Sequence, residues 1–521
     1  LWTRSLPLLL LTLTLAGAQS AFFGPVKYAI LPQHLRPNEL VSGNGWVQLG
    51  TFVAIMVGTV LGGLTMSHGP ASIATVLLAI AVAGWACARA IPPAPSADRA
   101  TVVRLSVWRP TLDVLRLARR DRHGFDAILG NSWFWLYGAM LLALLPAVGA
   151  EVLGGTPTVV TALLVCFSIG IAAGSVVCER VCRGGIELGL VAVGALLSSG
   201  FGLHLAWTLA GLPTPENTVG PAAVDVTVWI DLMGLGLGSG LFIVPLNAII
   251  QQRAEPRLRS RIIAANNVVN ALFVVVSSVV AIGLTALGLS AVGILAVLMI
   301  ANAIVAVVAY TKLPDRTVRL VISGIVRVMY RFRAPGIERL PQHGGAVLVC
   351  NHISFVDALL IGAASRRPVR FVMDHRIFRT PGLHWLFRTV GAIPIAPRHV
   401  DAEIYDRAFE RVAETLAAGE LLCIFPEGKI THTGQMNEFR RGVERIVATT
   451  PVPVIPMALH GLWGSMFSRR YGPAMKTLPR RFRARVQLRC GTPVPPESVC
   501  ASDLHQRVTE LLDATPPLQT T

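Results

Sequence analysis

A histidine and an aspartate stand five positions apart in the stretch Asn351-His352-Ile353-Ser354-Phe355-Val356-Asp357. That spacing lets a turn fold the Asp357 carboxylate back onto one imidazole nitrogen of His352. The other nitrogen is then free to take a proton from a substrate hydroxyl. The chemistry would be that of a charge-oriented general base with no protein nucleophile. A polar turn that merely caps a helix would use the same residues, so the companions of the pair must decide. Three stretches accompany it: Gly391-Ala392-Ile393-Pro394-Ile395-Ala396-Pro397-Arg398, Phe425-Pro426-Glu427-Gly428-Lys429-Ile430-Thr431 and Val454-Ile455-Pro456-Met457-Ala458-Leu459.

Each stretch contains or adjoins a short apolar run. Runs at 346–350, 369–373, 392–395, 421–425, 454–459 and 486–490 read as strands, with helices at 358–364, 402–418, 442–448 and 502–512. Such alternation argues for an α/β domain with a mainly parallel sheet. Sites in these sheets gather beyond the carboxyl ends of the strands, where the polar stretches fall.

The rest of the chain has a different character. Its 521 residues are 53% hydrophobic and only 14% charged, with a mean hydropathy of +0.59, whereas a soluble chain of that length would carry clearly more charge. The apolar residues concentrate before about residue 313 and most arginines follow it, so a membrane domain precedes a basic globular one. A net charge of +17 could serve a nucleic-acid binder. Arginine-rich segments beside apolar spans suit anionic lipid headgroups better, and no nucleic-acid partner is expected. The eight cysteines are scattered, and the closest pair, Cys178 and Cys182, is not a CxxC; neither a disulfide framework nor a zinc site follows. His343, His432 and His460 have no metal-ligand spacing, so no metal is expected.

Apolar stretches of bilayer-spanning length run at 1–23, 46–66, 71–88, 133–150, 158–177, 186–210, 226–250, 262–287 and 290–310. The first has the outline of a leader peptide, yet it stays apolar through Phe22 and Phe23 into a basic loop at 27–39, as a span does. Loops 89–122, 178–183 and 251–261 carry arginines, while 66–70 and 212–224 carry neither Lys nor Arg. The positive-inside rule then places the basic loops, and everything after 310, in the cytoplasm. Counting back puts residue 1 outside, and a start there without Met suggests that one or more earlier helices are missing. Asp225 and Asp231, the main charges within the spans, read as interfacial or structural groups rather than proton carriers. Residues 317–333 read as an amphipathic helix lying in the headgroup layer. The expected organisation is a membrane domain at 1–312, an amphipathic interfacial linker at 313–340, a catalytic domain at 341–515 and a polar tail at 516–521.

Two resemblances sharpen this reading. Phe23-Gly24-Pro25-Val26-Lys27-Tyr28-Ala29-Ile30-Leu31-Pro32, Asn44-Gly45 and Gly58-Thr59-Val60-Leu61-Gly62-Gly63 resemble the fourth and fifth helices of the lysophospholipid-transporter branch of the major facilitator superfamily. Phe242-Ile243-Val244-Pro245-Leu246-Asn247-Ala248 resembles its tenth helix. The resemblance implies an all-α polytopic domain that lacks its first three helices, with 89–122 linking the family's two halves. The four polar stretches are similar, in order, to the blocks of the glycerolipid acyltransferase (PlsC-like) family. That implies acyl transfer from a thioester to the free hydroxyl of a lysophospholipid, with His352 as general base and Asp357 orienting it. Asn351, Arg398, Glu427, Gly428 and Lys429 would contact the acceptor, Arg398 through paired hydrogen bonds to a phosphate.

Many members continue the third block with Thr-Arg-Ser, where this chain has Lys429-Ile430-Thr431. The lysine form resembles fused 2-acylglycerophosphoethanolamine acyltransferases, whose transporter domain precedes the enzyme. Lysophosphatidylethanolamine is therefore the expected acceptor at a bacterial inner membrane. A 1-acylglycerol-3-phosphate acceptor, or a flippase with an accessory acyltransferase domain, remain alternatives. No cofactor is expected beyond acyl-CoA or acyl carrier protein as co-substrate, and the partners would be membrane lipids, lysophospholipid and that carrier.

Overall fold

The computed structural model describes residues 5–66, 68–94, 108–182, 185–213, 219–465, 467–470 and 483–514. The middle of the 89–122 link, the basic residues Lys476, Arg480 and Arg481, and the tail at 516–521 lie outside the described residues. The chain divides into two compact units, Leu1–Leu313 and Pro314–Thr521.

The first unit is helical: α1 (Leu6–His34), α2 (Leu40–Met66), α3 (Pro70–Arg89), α4 (Trp108–Ala118), α5 (Arg122–Ala147), α6 (Pro157–Cys182), α7 (Gly189–Ala210), α8 (Val226–Arg253), α9 (Arg259–Ala286) and α10 (Ala291–Lys312). Among the described residues, nine of these are long and apolar enough to cross a bilayer, α4 being too short. Several outrun the apolar stretches. The α1 helix continues to His34 through Pro25 and Pro32, where a loop was expected; neighbouring helices let a membrane helix tolerate interior proline. The α5 helix starts at Arg122 because Asp121 caps it on the His123 N–H. Asp121 also takes both Nε and an Nη of Arg253, at 2.6 and 2.9 Å, tying the start of α5 to the end of α8.

Four glycines make α8 the centre of this unit. Residues four apart share a helix face, so Gly236 and Gly240 turn to α6 while Gly234 and Gly238 turn to α7. A methyl at Gly238 would come within 2.6 Å of the Gly194 carbonyl oxygen, so only glycine permits that approach. At its start, Asp225 caps α8 on the Thr227 N–H at 2.7 Å. Asp231 is buried and lies 2.8 Å from Nδ1 of His204 on α7, a partner for which sequence offered no signal.

The second unit is α/β. It comprises α11 (Pro314–Met329), β1 (Tyr330–Arg333), β2 (Ala346–Cys350), α12 (Asp357–Ala364), β3 (Val369–Asp374), α13 (His375–Phe378), α14 (His384–Thr389), β4 (Ile393–Ile395), α15 (Ala402–Ala417), β5 (Leu421–Ile424), α16 (Gly442–Thr449), β6 (Val454–His460), β7 (Ala484–Cys490) and α17 (Ala501–Asp513). The sheet order is β1-β7-β6-β2-β5-β3-β4. All neighbours are parallel except β6 and β7. Period-two alternation sends Leu348, Cys350, Leu421 and Met457 into one core layer and Val347, Val349, Leu422 and Val454 into the other.

The helix expected at 317–333 stops at Met329, and Tyr330–Arg333 instead forms edge strand β1 in register with Ala484 to Gln487 of β7. The reason is local: Tyr330 and Phe332 alternate with two arginines, and Tyr330 is buried with Val326 and Leu340 in the layer that holds β2. The stretch that follows the last span is therefore built into the α/β core.

Candidate active site

Strand β2 ends at Cys350 and α12 begins at Asp357, so the six residues between form the polar turn at the carboxyl end of a central parallel strand. Asp357 is the first residue of α12, where the partial positive charge of a helix N-terminus favours a carboxylate. Its Oδ2 accepts hydrogen bonds from the N–H groups of Ile353 (2.7 Å) and Ser354 (2.9 Å) and contacts His352 Nδ1 at 2.9 Å. The carboxylate is fully buried, the imidazole 21% exposed, and Oδ1 has no partner among the described residues. Burial pushes the Asp357 carboxyl up, opposed by His352 and the two backbone N–H groups. With Nδ1 held as donor to the carboxylate, Nε2 is the basic nitrogen.

The Phe425–Thr431 stretch clamps the histidine from three sides. Glu427 Oε1 accepts the His352 N–H at 2.6 Å, the Thr431 N–H donates to the His352 carbonyl at 3.0 Å, and the Phe425 ring stacks on the imidazole with centroids 4.1 Å apart. Oε2 of Glu427 accepts the backbone and side-chain N–H of Asn437, both at 2.7 Å. Glu427 is buried, and both of its oxygens accept from protein donors, Oε1 from the His352 backbone and Oε2 from Asn437. Asn351 is similarly occupied, its amide exchanging hydrogen bonds of 2.7 and 3.0 Å with the backbone of Leu459 on β6. It ties the turn to the neighbouring strand, because a buried amide without partners is costly.

Gly428 adopts φ +69°, a conformation glycine tolerates without strain. The exposed Arg440 lies so close that an added Cβ would meet its guanidinium at 3.0 Å. Lys429 is exposed beside it. Arg398 lies beyond edge strand β4, exposed, with β3 and β5 between that strand and β2. Arg370 holds the turn before β4, donating to Val390 O at 2.9 Å and pairing with Glu420 at 2.7 Å; the guanidinium keeps the Glu420 carboxyl below its usual range.

The structure thus gathers Asn351, His352, Asp357 and Glu427 around one turn, while Arg398 follows edge strand β4. Asn437, Arg440 and the ring of Phe425 escaped sequence reasoning. Only Phe425, ending an apolar strand directly before a polar turn, carried a signal.

Such a site, in a chain that also carries a series of bilayer-length helices, describes a multi-pass membrane protein with an α/β catalytic domain. The family model of the Major Facilitator Superfamily matches residues 1–278, and the chain belongs to that superfamily. An Acyltransferase family model matches residues 331–460, which hold every residue of the His352 cluster, so the chain joins a transporter-like domain to an acyltransferase domain. Among known proteins it is similar to the lysophospholipid transporter LplT of Pectobacterium carotovorum, 29% identical over 255 residues that are 46% of this chain and 56% of that one. The LplT of Yersinia pestis (strain Pestoides F) is likewise 29% identical over 253 residues, with the same coverage. The chain spans about half the length of these curated relatives. Among solved structures, the 1-acyl-sn-glycerophosphate acyltransferase PlsC of Thermotoga maritima aligns with 40% of this chain and 85% of its own, at 19% identity and a TM-score of 0.32.

Proposed function

We propose that the chain transfers a fatty acyl group from an acyl thioester to the free hydroxyl of a lysophospholipid, with lysophosphatidylethanolamine as the acceptor. The observation that carries the reading is the buried Asp357 carboxylate on His352 Nδ1, which leaves Nε2 as base. The acceptor hydroxyl gives its proton to Nε2 as its oxygen attacks the thioester carbonyl. The tetrahedral intermediate then expels the thiolate, which takes the proton back from the imidazolium. Asp357 stabilises that imidazolium. Arg398, Lys429 and the open backbone at Gly428 would receive the phosphate end of the acceptor, and acyl-CoA or acyl carrier protein would bring the acyl group.

The similarity of residues 1–278 to a superfamily of transporters, and to the LplT proteins, supports a membrane domain that delivers lysolipid to the enzyme. The arginine-rich loops support a cytoplasmic face for the catalytic domain in a bacterial inner membrane.

The test uses membranes carrying wild type or His352→Ala, given labelled lysophosphatidylethanolamine and lysophosphatidic acid with an acyl donor. Wild type should acylate the ethanolamine lipid faster, and the variant neither. Equal product from the variant would remove His352 as base, and a preference for lysophosphatidic acid would reassign the acceptor.

A further inference from the structure

Strands β1 and β7 close the far end of the sheet, with β6 and β7 separating β1 from β2. Between them lies a cleft of about 390 Å³ lined by Arg331, Arg333, Arg485, Val486 and Gln487. The register sets Arg331 directly opposite Arg485 and Arg333 opposite Gln487, so alternation turns all four polar side chains to one face of the sheet. Tyr330, Val486, Leu488 and Cys490 fill the core on the other face.

Like charges directly opposite one another destabilise a sheet. A charged edge strand is a known guard against edge-to-edge aggregation, and Arg331 and Arg333 on β1 could act so. Arg485 cannot, because β7 is an interior strand paired on both sides. No carboxylate pairs with the three arginines among the described residues. Farther along the same face of β7, the Nε of Arg489 is buried without a partner among the described residues. Guanidinium groups converging on one concave site, with an amide beside them, are the arrangement that binds phosphate oxygens by paired hydrogen bonds.

We propose that the β1–β7 cleft is a phosphate-binding site separate from the His352 centre, taking the phosphodiester of an anionic phospholipid or a phosphate monoester in solution. The bound phosphate relieves the Arg331–Arg485 repulsion, so the site stabilises the sheet edge when filled. It does not depend on the acyl-transfer assignment.

The full chain, purified in a non-ionic detergent, is titrated separately with phosphatidylglycerol, phosphatidylcholine, inorganic phosphate and coenzyme A, reading binding and melting temperature. An Arg331→Gln/Arg333→Gln/Arg485→Gln variant is compared with wild type and with Arg407→Gln/Arg411→Gln, which removes charge from the exposed side of α15. A phosphate ligand should stabilise wild type and the control, and bind the triple variant at least about tenfold more weakly, with phosphatidylcholine inert. Phosphatidylglycerol alone acting identifies the bilayer as the source, and coenzyme A or phosphate acting identifies a soluble one. Arg485→Gln alone should raise the melting temperature of the ligand-free protein and blunt the ligand-induced rise. Equal affinities in wild type and triple variant, or equal losses in the α15 control, overturn the proposal.

Discussion

Asp357 holds two roles that pull in opposite directions. Its folded pKa is raised by burial, so the folded protein binds this proton more readily than the unfolded chain does. The resulting stability is present in acid, below the unfolded carboxylate value, and is lost as pH rises through the folded value. Above that folded value the ionised group is a cost to the fold, so Asp357→Asn should melt no lower than wild type there while flattening that part of the pH profile. The same substitution should lower acyl transfer by roughly 10³-fold, because the amide oxygen takes the Ile353 and Ser354 N–H groups and Nδ1 while a neutral amide no longer stabilises the imidazolium. Scanning fluorimetry against pH and initial rates test both, and a variant melting several degrees lower above the folded value would sink the first. His352→Ala should lose about 10²- to 10⁴-fold, the usual contribution of a general base. Glu427→Gln separates positioning from binding: if Glu427 holds only the His352 N–H and Asn437, kcat falls about tenfold while KM for the acceptor barely moves. A rise in KM alone would support the acceptor contact. Sequence spacing made the His352–Asp357 pair legible, since five residues reach around one turn. The duties of Glu427 and Asn351 were hidden, because their partners are backbone groups that a sequence cannot display.

At the scale of elements, the long apolar helices were legible because a bilayer demands nearly uncharged stretches, and the central strands because buried runs of Val, Leu and Ile stand between turn residues. Strand β1 was not. Four residues directly after a helical pattern are too short for a period of two to show, and their partner lies in β7. The consequence can be tested by truncation. A fragment beginning at Pro314 retains Val326 and Tyr330 in the core and β1 on β7, and should unfold cooperatively. One beginning at residue 341 exposes the β7 edge and should be recovered only as aggregate. In the membrane unit, the alternating faces of α8 predict that Gly238→Val costs about 1–3 kcal/mol through overpacking against Gly194 and Ser198. Gly200→Val, on α7 with open space around its Cβ position, should not. Thermal stability in detergent distinguishes the two.

At the scale of the whole molecule, two units of unlike composition share one chain. The shift from apolar spans to basic α/β sequence near residue 313 announced the division, while nothing in the sequence revealed which charged residues would be paired inside the helices, as Asp231 is with His204. If the membrane domain delivers lysolipid as proposed and does so apart from the chemistry, that delivery should survive His352→Ala, which a reconstituted-vesicle assay reads independently of product. The hydrogen bonds between Asn351 and Leu459 join residues 108 apart, and β1 waits for β7. During synthesis, then, the nine spans among the described residues are made before Leu459 and β7, the partners of the His352 turn and of β1. The transporter-like helices therefore exist before the turn that holds His352 can close, since that closure waits for a strand made more than a hundred residues later.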